Sequence, residues 1–188
     1  LLIVGWKDPK YVHKWPDEVD ADVSLRNILE FSMDGTIEVP KELIDQAGVA
    51  EESILIGEGE PEGVVHPYLT DRANLRGVSY GGKDISEYCF SFGKRRSPVH
   101  CEIVDITKPS KTIISTYDHQ PRLFVAQKVG ETYYLRPYTV NELKQIQGFP
   151  KDYIMEGSWK DQVVQLGNAV PPPLIQQVVE RILDQALS

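Results

Sequence analysis

The texture of this chain changes abruptly at Thr139, and the change restricts it to folds in which a small sheet and a helical tail share one polypeptide. Between residues 53 and 135 the β-favouring runs are short (53–56, 88–92, 99–106, 112–117, 123–127 and 133–135) and are broken by glycine, proline and charged turns. Thr139-Val-Asn-Glu142 then spells a capping box, in which the Thr hydroxyl and the Glu carboxylate each accept from the other residue's backbone amide. The helix it opens is expected to stop at Gly148, ahead of Pro150. After Pro171-Pro-Pro173 a final helix carries Leu174, Ile175, Val178, Val179, Ile182, Leu183, Ala186 and Leu187 on one face. Earlier, Asp22 offers an N-cap to a short helix with apolar positions at 25, 28 and 29, and Pro40 and Gly48 bracket a second. Residues 1–6 form an apolar run that reads as a fully buried strand.

With 188 residues, 41% hydrophobic and 26% charged, the chain has the composition of a folded domain, or of a domain with part of another. No apolar run reaches the length of a membrane span, and a cytoplasmic protein is expected. Cys89 and Cys101 sit in apolar, strand-like contexts and read as two free thiols rather than a disulfide. His66, His100 and His119 lack metal-ligand spacing with them, so no metal site is read. The formal net charge of −8 argues against nucleic acid only as a total. Acidic residues crowd the segment 17–62, whereas Arg72, Arg76, Lys83, Lys94, Arg95, Arg96, Lys108, Lys111 and Arg122 permit a local basic face.

Two blocks carry a more specific signal. Arg136-Pro-Tyr-Thr-Val-Asn-Glu-Leu-Lys-Gln-Ile-Gln-Gly-Phe-Pro150 and Gln165-Leu-Gly-Asn-Ala-Val-Pro-Pro172 resemble, in this order and spacing, the ninth and tenth motifs of the DNA cytosine-5 methyltransferases. The resemblance covers the last 50 residues or so. The family's Pro-Cys nucleophile, Glu-Asn-Val and glycine-rich cofactor loop have no counterpart, since Cys89 follows Tyr and Cys101 follows His. The resemblance therefore implies the DNA-reading, carboxyl-terminal part of such an enzyme, beginning just after the eighth motif, with no catalytic residue of its own.

The resemblance also implies roles for particular residues. Asn168, Ala169 and Val170 would line the pocket for S-adenosylmethionine, with Gly167 allowing a compact Gly-Asn turn; this chain would supply only part of that pocket. Phe149 would either approach the cofactor or serve as a plain core aromatic. Arg136 and Glu142 would anchor the recognition domain to its hinge, with Gln147 packing the far end. Gln145 stands where the family usually has an arginine, so no salt bridge is expected from that position. The stretch from Lys108 to Tyr117 resembles the recognition segment in which a Thr and an aliphatic residue meet DNA, which points to Thr112 against the backbone of a flipped nucleotide and Ile113 beneath it. Arg95, Arg96 and Arg122 are candidate phosphate or guanine contacts, or simply a solvated basic turn.

The fold expected from these readings is α+β. A small β-rich target-recognition domain (20–138) would follow the end of a catalytic lobe (1–19) and precede a hinge and carboxyl-terminal segment (139–188). The first strand and last helix would belong to a larger doubly wound α/β lobe absent from this chain. Expected partners are double-stranded DNA, the amino-terminal catalytic lobe or subunit of a restriction-modification methyltransferase, and a second copy when that lobe is missing. Whether the chain is a natural subunit or a fragment stays open. The alternative is a stand-alone sequence-specific DNA-binding module without methylation activity, which has no need of Gly-Asn-Ala-Val-Pro-Pro.

Overall fold

The computed structural model describes residues 13–17, 22–64, 79–80, 83–84, 102–117 and 123–187. The expected strands at 1–6 and 88–92, both cysteines, and Arg95, Arg96 and Arg122 lie outside them.

The sheet is organised by one hairpin. β6 (Leu123–Val129) turns at Gly130, whose φ of 56° suits a residue without a side chain, and returns as β7 (Thr132–Pro137). β1 (Ile37–Val39) adds antiparallel to β7. The other edge of β6 is shared: β5 (Glu102–Ile103) pairs parallel with its first residues, and β2 (Leu55–Ile56) parallel with Gln127 and Lys128. β3 (Ser79–Tyr80) and β4 (Lys83–Asp84) form a separate antiparallel pair.

Alternation along β6 divides the interior in two, since neighbouring strand residues face opposite sides. Phe124 and Ala126, with Leu135 opposite, face α1 (Lys41–Ala47), which contributes Leu43, Ile44 and Ala47. Pro40 precedes that helix as its N-cap, and Gly48 ends it in the left-handed conformation at φ 70°. Leu123 and Val125 face the second core, with Leu25, Leu29, Val104, Ile106, Ile113, Tyr117 and Tyr138. This core also contains Leu143 of α2 (Val140–Ile146) and Val163 and Leu166 of α3 (Trp159–Asn168). α2 and α3 thus share one core with the sheet. α4 (Pro172–Leu187) buries only Val178 fully.

Three local expectations differ from what forms. The helix expected after Asp22 is a single 3-10 turn, Leu25–Asn27, because the Asp22 carboxylate accepts from the Ser24 amide and from the Asn27 side chain instead of capping a longer helix. Residues 112–117 form no strand: Ile113 and Tyr117 enter the same core, and the chain turns between them. The third difference is α3, where the sequence suggests a Gly-Asn turn.

Asp105 ties the loop after β5 to its surroundings. Its carboxylate meets the Lys108 ammonium at 2.8 Å and accepts from the Ser53 hydroxyl at 2.9 Å and from both donors of Thr107. Burial alone would raise its pKa, but the bonds from Lys108, Thr107 and Ser53 outweigh it and lower the value from 3.8 to about 2. A carboxyl depressed in the folded state contributes stability above its unfolded pKa, and the contribution is lost as pH falls through the folded value. Urea midpoints of the wild type are expected to fall between pH 4 and about 2, and Asp105→Asn to remove part of that slope. Parallel profiles for the two proteins would refute this.

No helix among the described residues is long and apolar enough to cross a membrane.

Candidate functional site

The first motif block is built on a buried ion pair. Arg136 lies on β7 opposite Val125 and is buried with its partner Glu142, their side chains 1% and 3% exposed. The guanidinium donates through Nη1 and Nη2 to the two carboxylate oxygens, both at 2.7 Å. Its Nε donates to Gln127 Oε1 at 3.1 Å, and its remaining hydrogens reach the carbonyls of Pro137 (3.0 Å) and Glu30 (2.6 Å). Glu142 in turn accepts from the Thr139 amide at 2.8 Å, completing the capping box, and from the Glu30 amide at 3.2 Å. Gln127 spends its own amide on the Ser32 carbonyl and accepts from the Ser32 amide. Two buried charges are tolerable only when the fork geometry is bidentate and the other polar atoms are satisfied, as they are here. The sequence singles out Arg136 and Glu142, but not Gln127 or the 30–32 backbone that completes the set.

From this node α2 leads to the second block. Gln147 donates through Nε2 to the Leu166 carbonyl at 2.8 Å, joining the ends of α2 and α3. Gly148 follows at φ 79°, and a side chain there would strike the Pro173 ring at 2.7 Å. Phe149 is half-buried, packed at the margin of the second core with its ring 5.0 Å from that of Tyr153. Lys144, also buried, donates to the carbonyls of Lys151 and Tyr153 and so closes the connection toward α3. The Gln145 side chain donates to the Asn141 carbonyl within its own helix.

The Gly167-Asn168 pair is a correction. These residues are the last turn of α3, a helix opened by the capping box Ser158–Asp161, and not a compact turn. Gly167 is required by close packing: a β-carbon there would stand 2.3 Å from the Ser115 backbone nitrogen. The chain leaves the helix at Ala169 in an extended conformation, φ −69° and ψ 146°, and Pro171 precedes α4. Asn168 is exposed, Ala169 half-buried and Val170 52% exposed. Together they form one open wall, with an amide at Asn168 and an apolar side chain at Val170. A cleft of about 570 Å³ between the β7–α2 junction and the start of α3 includes Arg136 but none of these three residues.

Of the expected DNA contacts, Thr112 is exposed, whereas Ile113 is 5% exposed within the second core and presents no surface to a ligand. The loop carrying them is pinned at Tyr117. Its hydroxyl donates to the Leu123 carbonyl at 2.8 Å and accepts from the Tyr138 amide at 2.7 Å, and the two rings stack. Burial, reinforced by the neighbouring Tyr138, raises the Tyr117 pKa well above the ordinary phenol value, so the hydroxyl keeps its proton as a donor.

The family model for C-5 cytosine-specific DNA methylases matches residues 20–184. The chain belongs to that family. It is 43% identical over 75 residues to the type II methyltransferase M.MspI of Moraxella sp, a match covering 38% of this chain and 17% of that protein. It is 46% identical over 48 residues to M1.HphI of Haemophilus parahaemolyticus (26% of this chain, 13% of that protein). With M.DdeI of Desulfomicrobium norvegicum the identity is 45% over 58 residues (27% and 14%). The chain therefore covers less than a fifth of the length of each of these relatives. No solved structure matches it.

Proposed function

We propose that this chain is the target-recognition and cofactor-closing part of a DNA cytosine-5 methyltransferase, acting with an amino-terminal catalytic lobe on S-adenosylmethionine and duplex DNA. One observation carries the reading: the Gln165–Pro172 block ends in an exposed Asn168–Val170 wall that leads directly into a helix with a largely uncovered apolar face. Asn168 would bond polar groups of the methyl donor, and Val170 would pack against its apolar part. The donor supplies the methyl group on a sulfonium; the nucleophile that attacks the cytosine ring belongs to the lobe. Neither described side chains nor Cys89 and Cys101, which lack a preceding proline, provide it.

On this reading residues 20–138 form the recognition domain, which reads a duplex while its target base leaves the stack. Exposed Thr112 contacts the DNA backbone, Ile113 supports it from within, and Arg95, Arg96 and Arg122 contribute phosphate or guanine contacts. The Arg136–Glu142 node holds this domain to the segment that carries Asn168.

Mixing the chain with the catalytic lobe of a family member, duplex DNA and labelled S-adenosylmethionine tests the proposal. Label is expected in DNA only when both proteins are present. Methyl transfer by this chain alone would overturn it, and DNA binding without rescue would favour a stand-alone binding module.

A further inference from the structure

Gly167 brings two half-buried segments into backbone contact. A β-carbon built on it would lie 2.3 Å from the Ser115 nitrogen, 2.4 Å from the Ser115 α-carbon and 2.6 Å from the Ile114 carbonyl carbon. These are main-chain atoms on both sides, so no flexible side chain can absorb a displacement. The loop is also held on both flanks of the contact. Ile113 is buried in the second core, and Tyr117 is fixed by its hydroxyl to Leu123 and Tyr138. Each side then runs at once into an exposed residue: Thr112 lies just before Ile113, and Asn168 just after Gly167.

We propose that Gly167 is a positioning residue that links the Thr112 loop to the Asn168–Val170 wall, so that binding of DNA and binding of the methyl donor reinforce one another. This rests on the function proposed above, which assigns DNA to one segment and the donor to the other. Displacing the loop moves Ser115 against α3, and moving the last turn of α3 re-aims Asn168; the coupling is reciprocal, as linkage requires.

The test uses the chain together with a family catalytic lobe. The DNA probe is a duplex carrying a site that the wild-type pair methylates in plasmid DNA, located by bisulfite conversion. Affinity for S-adenosylhomocysteine is measured with and without that duplex. In the wild type the duplex is expected to tighten binding by on the order of tenfold, a usual size for coupled sites. Gly167→Ala should reduce this to about twofold or less, since one methyl group must part the two backbones. Tyr117→Phe keeps the ring, removes both hydroxyl bonds and weakens the link from the loop side, so it serves if Gly167→Ala fails to fold. Ser115→Ala leaves the backbone contact intact and should keep the full enhancement; loss of the enhancement in Gly167→Ala with the duplex-free affinity preserved is the signature that a merely structural defect would not give. Undiminished coupling in a folded Gly167→Ala or Tyr117→Phe variant overturns the link while leaving the function standing. A wild-type pair that transfers no methyl group overturns both.

Discussion

Arg136→Met is expected to lower the unfolding free energy by about 3–5 kcal/mol, the range for breaking one partner out of a buried ion pair. The substitution leaves Glu142 buried at 3% exposure, with its carboxylate deprived of both guanidinium bonds. It also strips donors from Gln127 Oε1 and from the carbonyls of Glu30 and Pro137. Glu142→Gln should cost a comparable amount, because it leaves the buried Arg136 guanidinium without a counter-charge and turns an amide NH2 toward a group that can only donate. The double variant Arg136→Met, Glu142→Leu should recover part of the loss, because two apolar groups leave no stranded charge. Urea titrations of the three variants read this directly. A loss below about 1 kcal/mol in Arg136→Met would mean that the pair is not the organising contact between the sheet and α2.

The same node shows how far the amino-acid sequence can be read. The Thr139–Glu142 box is local chemistry over four residues, and it forms as written. So does the helix between Pro40 and Gly48. Gln127 is a different matter: a glutamine in a β-favouring run looks like a solvent-facing residue until the register sets it on the same face as Arg136, across a hairpin. β1 is three residues long and depends on a partner, β7, nearly a hundred positions away, so no local pattern announces it. α3 did have a signal, Ser158-Trp-Lys-Asp161 ahead of Val163 and Leu166, which is a capping box before an apolar pair. Gly167-Asn168 masks it, because such a pair ordinarily marks a turn. Its glycine answers a contact with Ser115, fifty-two positions earlier in the chain, and only the folded backbone exposes that reason. Residues 112–117 fail as a strand for a related cause: a turn closes from the Tyr117 amide to the Ile114 carbonyl, and the Tyr117 hydroxyl is held by the Leu123 carbonyl and the Tyr138 amide.

Val179→Asp combined with Leu183→Asp is expected to weaken association with a catalytic lobe by about a hundredfold or more, while leaving this chain folded. Ile175, Val179, Leu183 and Leu187 recur every fourth residue along α4 and are 36%, 46%, 52% and 86% exposed, with Leu174 beside them at 43%. A row of this kind is a usual mark of a binding surface. The opposite side is tied down: Val178 is buried, the Lys14 amide reaches Gln185, and Arg181 lies 3.8 Å from Asp17. Covering each aliphatic side chain is worth about 1.5–3 kcal/mol at full burial, and an aspartate in its place adds an unpaired charge to the interface. Because both positions are already open to solvent, the cost falls on association rather than on folding. Sedimentation with and without the lobe separates these outcomes, and methyl transfer at saturating lobe concentration should be rescued if docking alone is impaired. In the absence of a lobe the same stripe is expected to drive self-association, which the two aspartates abolish. Gln177→Asp adds a charge on an exposed position outside the stripe and should do neither. If the doubly substituted chain binds the lobe as tightly as the wild type, α4 is not the docking helix and the catalytic part must be held through another face.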